Sequence, residues 1–173
     1  GLIANEDYWN KATQLESLGL EDLDILIKES VEIKTKIVTE DPFETGLRKT
    51  LNYGHTLGHA IESYFLTNNE KETLLHGEAI AIGMILTTYL SSEITGFPKD
   101  KLQDITNKLN TFYPKVEFNE YDIQQIIELL KFDKKNEYGK INFVLLKNIA
   151  EPIIDQKVDN DLIFSAFEFY DKN

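Results

Sequence analysis

Helical periodicity, interrupted at a few clear positions, constrains the fold of this chain more than any other feature. Apolar residues recur every three or four positions from Asp7 to about Asp133, which is the spacing of amphipathic helices. The pattern breaks at Gly19, Asp41-Pro42, the polar run from Thr67 to Thr73, Gly96-Phe97-Pro98 and Tyr113-Pro114. These breaks divide the segment into about six helices.

Only one later segment has a different character. The sequence GKINFVLL, followed by AEPIIDQKV, has the β-branched and aromatic content of a short hairpin, and a last helix is expected near Asn160 to Asp171. The nine glycines form neither a GxGxxG nor a Walker pattern. We therefore predict a mainly α fold class, a multi-helix domain with a small β-hairpin that occupies residues 1–173 and supplies no dinucleotide site by itself.

Composition and charge exclude several classes of protein. An apolar share of 42% is too high for a disordered chain, and no apolar run approaches the roughly 20 residues that span a bilayer. There is no cysteine and no leader-like opening, so a cytoplasmic setting is expected. The net charge of -12 repels phosphate backbones and anionic lipids, so neither nucleic acid nor a membrane is an expected partner.

All three histidines of the chain fall in one short region. Two of them lie in RKTLNYGHTLGHAIE, residues 48–62, and the third opens HGEAIAIGM at His76. On one continuous helix, an arc of about 80° would contain Arg48, Asn52, His55, His59 and Glu62. The other faces are apolar or small, which predicts a buried helix whose polar stripe lines an internal cavity. Gly54 and Gly58 are expected to permit close approach of another backbone or a ligand.

The spacing of the histidines permits a metal site. His55 and His59 are four residues apart, so both imidazoles could turn toward one ion, and His76 adds a third candidate with Glu78 close by. The alternative is a set of hydrogen-bonded histidines without a metal. A metalloprotease is disfavoured because its HExxH signature needs a glutamate where this chain has Thr56. We favour a divalent cation.

A cation on the preceding helix suggests the kind of substrate. Lys34 lies on an apolar stripe formed by Leu20, Leu23, Ile27, Val31 and Val38. A lysine there could simply cover apolar surface with its stem. Together with Arg48, however, it suits a ligand that carries carboxylate or phosphate groups, while a metal chelates neighbouring hydroxyls. The expected substrate is therefore a small anionic polyol.

The linked pattern RxxLNxGHxxGHAxE plus HGE, within the stretch from Lys34 to Met84, resembles the 3-dehydroquinate synthase family. The likeness extends forward to Asp133-Lys134-Lys135 and GKINFVLL, and back to the opening GLIANEDYW. It implies that the chain is the C-terminal, mostly helical domain of a homodimeric lyase whose N-terminal α/β domain binds NAD. The implied reaction converts a sugar phosphate, 3-deoxy-D-arabino-heptulosonate 7-phosphate, to 3-dehydroquinate in the shikimate pathway.

The resemblance also implies roles for individual residues. His55 and His76 correspond to ligands of Zn²⁺ or Co²⁺, whereas His59 corresponds to a substrate-contacting histidine placed for proton transfer, which revises the plain spacing argument. Lys34 and Arg48 correspond to residues that bind the substrate and assist turnover. The remaining substrate-binding candidates are Glu44, Asn52 and one of Lys134 and Lys135.

The departures from the family pattern matter as much as the matches. The family's third metal ligand is a glutamate in an AEVIK-like segment before the opening GLIA, and this chain has neither that glutamate nor the nucleotide-binding residues. We expect the 173 residues to fold alone without binding NAD or turning over substrate. Three alternatives stay open: another sugar-phosphate cyclase, such as an aminodehydroquinate or cyclitol synthase; the helical domain of a polyol or iron-dependent alcohol dehydrogenase; and a non-catalytic helical binding module.

Overall fold

The structure, a computed structural model, describes residues 1–14, 19–131 and 141–173. The chain forms helices α1 (Glu6–Ala12) and α2 (Leu20–Glu40), a 3-10 helix (Leu47–Asn52), helices α3 (His55–Thr67), α4 (His76–Thr95), α5 (Lys99–Phe112) and α6 (Glu120–Lys131), strands β1 (Asn142–Asn148) and β2 (Glu151–Lys157), and helix α7 (Asn160–Lys172). This order confirms the predicted mainly α class with one hairpin. Among the described residues, no helix combines the length and apolarity that crossing a bilayer requires.

The predicted breaks coincide with the ends of helices. Helix α2 begins directly after Gly19 and ends before Asp41-Pro42, where the proline restricts the preceding residue to extended conformations. Helix α4 ends at Gly96, which adopts the left-handed conformation (φ 77°) that commonly terminates helices. Glycine and proline therefore set the helix boundaries here through backbone sterics.

Helix α4 is the centre of the molecule. It contacts α3, α5, α7 and β1, so that side chains on most of its faces are buried. Leu86 and Leu90 are fully inaccessible, as are Leu57 and Ile61 of the neighbouring helix α3. Each such side chain contributes about 1.5–3 kcal/mol to stability by leaving water. A helix with apolar residues on nearly every face is stable in water only when it is buried in the core.

Glycines allow α3 and α4 to touch through their backbones. A Cβ atom added to Gly83 of α4 would collide with the carbonyl oxygen of Gly54 and would lie 2.7 Å from the nitrogen of Gly58. A Cβ atom on Gly58 would lie 3.1 Å from the Cα atom of Ile80. The predicted close approach at Gly54 and Gly58 is confirmed, and it brings the N-terminal halves of the two helices together.

The prediction of one continuous helix through residues 48–62 is wrong. Arg48 and Asn52 lie on the 3-10 helix, and α3 begins only at His55. Between the two elements Gly54 adopts a left-handed conformation (φ 76°), which a helix interior does not contain. The arc calculation assumed an unbroken α-helix, so it did not describe the relation between Arg48 and the histidines.

The apolar stripe of α2 that carries Lys34 is exposed, with 84% of Leu20, 61% of Ile27 and 58% of Val31 accessible to solvent. The side chains that α2 buries are Leu26 and Ile37, on the face toward α1 and the 3-10 helix. Helix α2 has apolar residues on two faces, and the face with fewer of them is the one buried by tertiary packing.

The hairpin is attached to the central helix. Strands β1 and β2 pair in antiparallel fashion, and the turn contains Ala150 at φ 63°. The backbone nitrogen of Leu146 donates to the hydroxyl of Ser91 over 2.9 Å, and the hydroxyl of Thr95 donates to the carbonyl of Leu146. Because β1 is buried against α4, the hairpin extends the core rather than standing apart from it.

Candidate metal and substrate site

The three histidines meet where α3 and α4 begin. Each offers a ring nitrogen, and these three nitrogens all lie within 4.8 Å of one another. The ring centroids are 5.3 Å apart for His55 and His59, 6.1 Å for His55 and His76, and 5.7 Å for His59 and His76. Close contact between α3 and α4 therefore brings together residues that are up to 21 positions apart along the chain.

Hydrogen bonds define the tautomers of two of these imidazoles. Nδ1 of His55 lies 3.0 Å from the carbonyl oxygen of Tyr53, and Nδ1 of His76 lies 3.0 Å from a carboxylate oxygen of Glu62. Since a carbonyl and a carboxylate can only accept, each Nδ1 carries the proton. In the neutral ring each Nε2 then presents a lone pair, as a histidine ligand of zinc requires. The donor set therefore fits Zn²⁺ or Co²⁺.

The expected internal cavity is not formed by the described residues. His55 is half-buried, whereas His59 is exposed and 57% of the His76 side chain is accessible. The buried side of α3 consists of apolar and small residues that face α4 and the core, as Leu57 and Ile61 do. The histidines lie at the edge of this packed face, so in the described part of the chain they line an open surface.

A loop before the 3-10 helix positions Arg48. The carboxylate of Asp41 accepts hydrogen bonds from the backbone nitrogens of Gly46 (2.7 Å), Thr45 (3.0 Å) and Arg48 (3.0 Å), and from the Thr45 hydroxyl. The bonds from Gly46 and Thr45 are the main reason that the pKa of Asp41 falls to about 2. Nη1 of Arg48 donates to the carbonyl oxygen of Pro42 over 2.9 Å. Both the backbone and the guanidinium of Arg48 are thus held by this loop.

Two of the candidate substrate residues pair with each other. The amide nitrogen of Asn52 donates to a carboxylate oxygen of Glu44 over 2.8 Å. Glu44 adopts a left-handed backbone conformation (φ 57°), which is uncommon for a residue other than glycine and often marks a functional position. The structure therefore joins Glu44, whose role was the least defined, to Asn52.

Three lysines complete the set of predicted substrate residues. Lys34 is exposed on α2, and its approach to the histidines stays a prediction. Lys134 and Lys135 lie outside the described residues, so their roles stay predictions as well.

Sequence reasoning missed two carboxylates that support the site. Asp41 organises the loop before Arg48. Its position at the end of a helix and before a proline could have indicated this role from the sequence. Asp122 of α6 is buried, accepts a hydrogen bond from Tyr64 over 2.5 Å, and forms an ion pair with Lys71 over 2.7 Å. Lys71 lies in the segment that leads to His76. The ion pair of Lys71 with Asp122 could not be predicted from a local pattern, because the two residues are far apart in the sequence.

Comparisons with known proteins agree with this architecture. A family model described as 3-dehydroquinate synthase C-terminal matches residues 1–136. The 3-dehydroquinate synthase of Parabacteroides distasonis is 41% identical over 172 residues, covering 98% of this chain and 48% of the relative. That of Methylacidiphilum infernorum is 40% identical over 149 residues, covering 86% of this chain and 40% of the relative.

Solved structures extend the likeness to the fold. The 2-epi-5-epi-valiolone synthase of Streptomyces hygroscopicus, with NAD⁺ and Zn²⁺ bound, superposes with a TM-score of 0.77 at 18% identity, covering 99% of this chain and 48% of that chain. A 2-deoxy-scyllo-inosose synthase complexed with carbaglucose-6-phosphate, NAD⁺ and Co²⁺ gives a TM-score of 0.73 at 23% identity, covering 97% and 48%.

The chain thus has the fold found in about half of the 2-epi-5-epi-valiolone and 2-deoxy-scyllo-inosose synthase chains. It belongs to the 3-dehydroquinate synthase family, through the family's C-terminal domain. It spans less than half the length of the two curated relatives described above, 48% and 40% respectively.

Proposed function

We propose that this chain is the metal- and substrate-binding part of a 3-dehydroquinate synthase. The full-length enzyme would be a lyase that converts 3-deoxy-D-arabino-heptulosonate 7-phosphate to 3-dehydroquinate and phosphate in the shikimate pathway, which leads to aromatic amino acids. The observation that carries the proposal is the cluster of His55, His59 and His76, because these are the histidines of the linked family motif. The curated relatives named for this reaction support it.

The full-length enzyme is proposed to be a cytoplasmic homodimer in which a preceding α/β half holds NAD. When bound, NAD supplies the transient oxidation of a secondary hydroxyl of the substrate. The isolated chain is expected to be inactive, since its described residues contain no dinucleotide-binding motif.

The metal-binding role falls to His55 and His76 through their Nε2 atoms. A bound Zn²⁺ or Co²⁺ would supply Lewis-acid polarisation of the substrate hydroxyl that is oxidised. The Tyr53 carbonyl fixes the ring of His55 by accepting its Nδ1 proton. This arrangement keeps the lone pair of Nε2 available without any change of tautomer.

The remaining residues bind the substrate and move protons. Arg48 keeps further N–H donors beyond the one given to Pro42, and its fixed guanidinium can bind a carboxylate or phosphate oxygen. Lys34 is proposed to add a second cation. The bond to Glu44 sets the orientation of the Asn52 amide for contact with substrate hydroxyls. His59, exposed beside His55, is proposed to transfer protons to and from substrate oxygens.

An assay of the full-length protein tests this function. The protein is incubated with 3-deoxy-D-arabino-heptulosonate 7-phosphate, NAD and Zn²⁺, and the release of phosphate and formation of 3-dehydroquinate are followed. The expected result is turnover that depends on both NAD and metal. Absence of 3-dehydroquinate from a folded, metal-loaded protein would contradict the proposal.

A second candidate is another sugar-phosphate cyclase, because the fold also matches 2-epi-5-epi-valiolone and 2-deoxy-scyllo-inosose synthases. The 41% identity to a 3-dehydroquinate synthase, against 18% and 23% to these two, favours the first candidate. The same assay with glucose 6-phosphate, of which the carbaglucose-6-phosphate bound to the inosose synthase is an analogue, tests the second candidate. Turnover of that sugar phosphate alone would replace the first candidate with the second.

A further inference from the structure

One carboxylate beside the histidines is not explained by the roles proposed so far. Glu62 lies on α3, three residues after His59, and places a carboxylate oxygen 3.0 Å from Nδ1 of His76 at the start of α4. We infer that Glu62 is a positioning residue for the metal site, which fixes the tautomer and ring orientation of His76. This inference rests on the proposed function, because it assigns a residue that prepares His76 to bind the metal.

His76 needs such a support more than His55 does. It is the first residue of α4, and 57% of its side chain is accessible, so packing restrains its ring little. An exposed ring of this kind exchanges rotamers readily unless a hydrogen bond holds it. The Glu62 side chain is only 25% accessible and belongs to α3, which is packed against the core. A firmly placed acceptor therefore restrains a loosely packed ring.

The chemistry of the contact favours metal binding. The carboxylate accepts the Nδ1 proton of His76, which leaves the Nε2 lone pair as the donor. The negative charge also increases the electron density of the imidazole and so strengthens its bond to a cation. Glu62 thus gives His76 the support that the Tyr53 carbonyl gives His55.

Another glutamate near His76 is already engaged elsewhere. Glu78, which follows His76 in the HGE sequence, accepts a hydrogen bond from the backbone nitrogen of Leu75 over 2.8 Å. That bond closes the first turn of α4, as a capping glutamate does. Sequence proximity points to Glu78, whereas the tertiary contact assigns the positioning role to Glu62.

The test compares three variants of the full-length protein. Glu62→Ala removes both the acceptor and the charge, whereas Glu62→Gln keeps an acceptor oxygen without the charge. Glu72→Gln removes the same charge from an exposed residue in the segment before His76 and is the matched control. Affinity for Co²⁺ is measured by visible absorption and for Zn²⁺ by competition, and circular dichroism establishes that each variant is folded.

We expect Glu62→Ala to weaken Co²⁺ binding by about 10- to 100-fold, as loss of such supporting groups generally does. Glu62→Gln should fall between this variant and the wild type, and Glu72→Gln should bind like the wild type. The Co²⁺ absorption bands should keep their positions, since the ligands themselves are unchanged. Equal affinity of Glu62→Ala and the wild type would overturn the inference, and so would a change of bands that indicates Glu62 as a direct ligand.

A measurement without metal separates this inference from the proposed function. At about pH 8, where an ordinary imidazole is neutral, nitrogen NMR of the metal-free protein should show the Nδ1–H tautomer at His76. The Nε2–H tautomer, which dominates in free histidine, should gain population in Glu62→Ala. An unchanged tautomer would refute the role of Glu62 even if the enzyme is active. Failure of the wild type to bind Co²⁺ would instead refute the proposed metal site, whatever the tautomer.

Discussion

At the scale of single residues, the histidine cluster depends on three glycines, because they have no side chain to separate α3 from α4. Gly83 of α4 lies against Gly54 and Gly58 of α3, where a side chain on any of the three would push the helices apart. His55 adjoins Gly54 and His59 adjoins Gly58, so the glycines determine the separation of both histidines from His76. Two helices with larger residues there would be farther apart, and the imidazoles would not converge.

Gly83→Ala should therefore destabilise the protein by about 1–3 kcal/mol, the usual cost of overpacking a core. Its Cβ would meet the backbone of Gly54 and Gly58, which yields less readily than a side chain. Gly77→Ala is the control, because the Tyr113 hydroxyl, at 3.9 Å, is the one atom of the described residues within 4 Å of its Cβ, and alanine suits a helix. Urea unfolding of both variants measures the difference. Equal stabilities would contradict the proposed close contact.

At the scale of secondary-structure elements, buried polar contacts position segments that the apolar core does not hold. The segment between α3 and α4 is tied to α6 because Lys71 pairs with Asp122 over 2.7 Å. The Tyr64 hydroxyl and the backbone nitrogen of Asn119 also donate to Asp122. This arrangement resembles the role of Asp41 before the 3-10 helix, so each segment entering the site is organised by one aspartate.

Stability should decrease in acid through Asp122. Burial by itself raises the pKa of this carboxyl, but the hydrogen bonds from Lys71, Tyr64 and Asn119 outweigh it, and the pKa is lowered. A lowered pKa in the folded state means that the stabilisation is complete above the unfolded pKa of about 3.9 and is lost as the pH falls through the folded value. Asp122→Asn should lower stability at neutral pH by about 1–3 kcal/mol.

The same variant should lose less stability than the wild type between about pH 5 and pH 2. Chemical denaturation across this range gives both curves. Two parallel curves would show that Asp122 does not contribute to the acid sensitivity of the protein.

The orientation of α2 can be tested through two adjacent residues. Leu26 is 7% accessible and Ile27 is 61% accessible. Leu26→Ala should cost about 2–5 kcal/mol, because it removes buried methyl groups. Ile27→Ala should change stability by less than about 0.5 kcal/mol, as expected for an exposed position. Thermal or urea unfolding distinguishes this orientation from the opposite one, in which Ile27→Ala would be the more damaging substitution.

At the scale of the whole molecule, the residues proposed to bind metal and substrate lie in two neighbouring regions. The first two turns of α3 and the first residue of α4 carry the three histidines, whereas the loop and 3-10 helix before α3 carry Glu44, Arg48 and Asn52. Gly54 separates the regions with its left-handed turn. The proposed metal ligands, His55 and His76, are therefore supported by other contacts than the proposed substrate residues Arg48 and Asn52, and their effects should be separable.

In the full-length protein, Arg48→Ala should reduce turnover by more than tenfold while zinc content stays near normal, since the lost hydrogen bonds to an anionic substrate are charge-assisted. Lys34→Ala is expected to act in the same direction. His55→Ala serves as the comparison and should lower zinc content. Steady-state kinetics and metal analysis of the purified variants provide both values. Loss of zinc in Arg48→Ala with substrate affinity intact would contradict the assignment.

Much of this protein was determined by its sequence because the relevant physics is local. Glycine and proline act on the backbone next to them, so the ends of α2 and α4 could be predicted. The hairpin could be predicted from the β-branched and aromatic residues of its own strands. The motif from Arg48 to Glu62, followed by HGE, also identified the family, which the comparisons confirm.

Only the tertiary structure decided which faces of these helices are buried and which residues they contact. The exposed stripe of α2, the break at Gly54 and the pairing of Glu62 with His76 each depend on packing or on contacts between distant residues. Periodicity indicates that a helix has an apolar face, but the free energy of burial is shared among all elements that compete for the core. The three imidazoles likewise lie close together because the backbones of α3 and α4 are in contact, and no local sequence pattern specifies that contact.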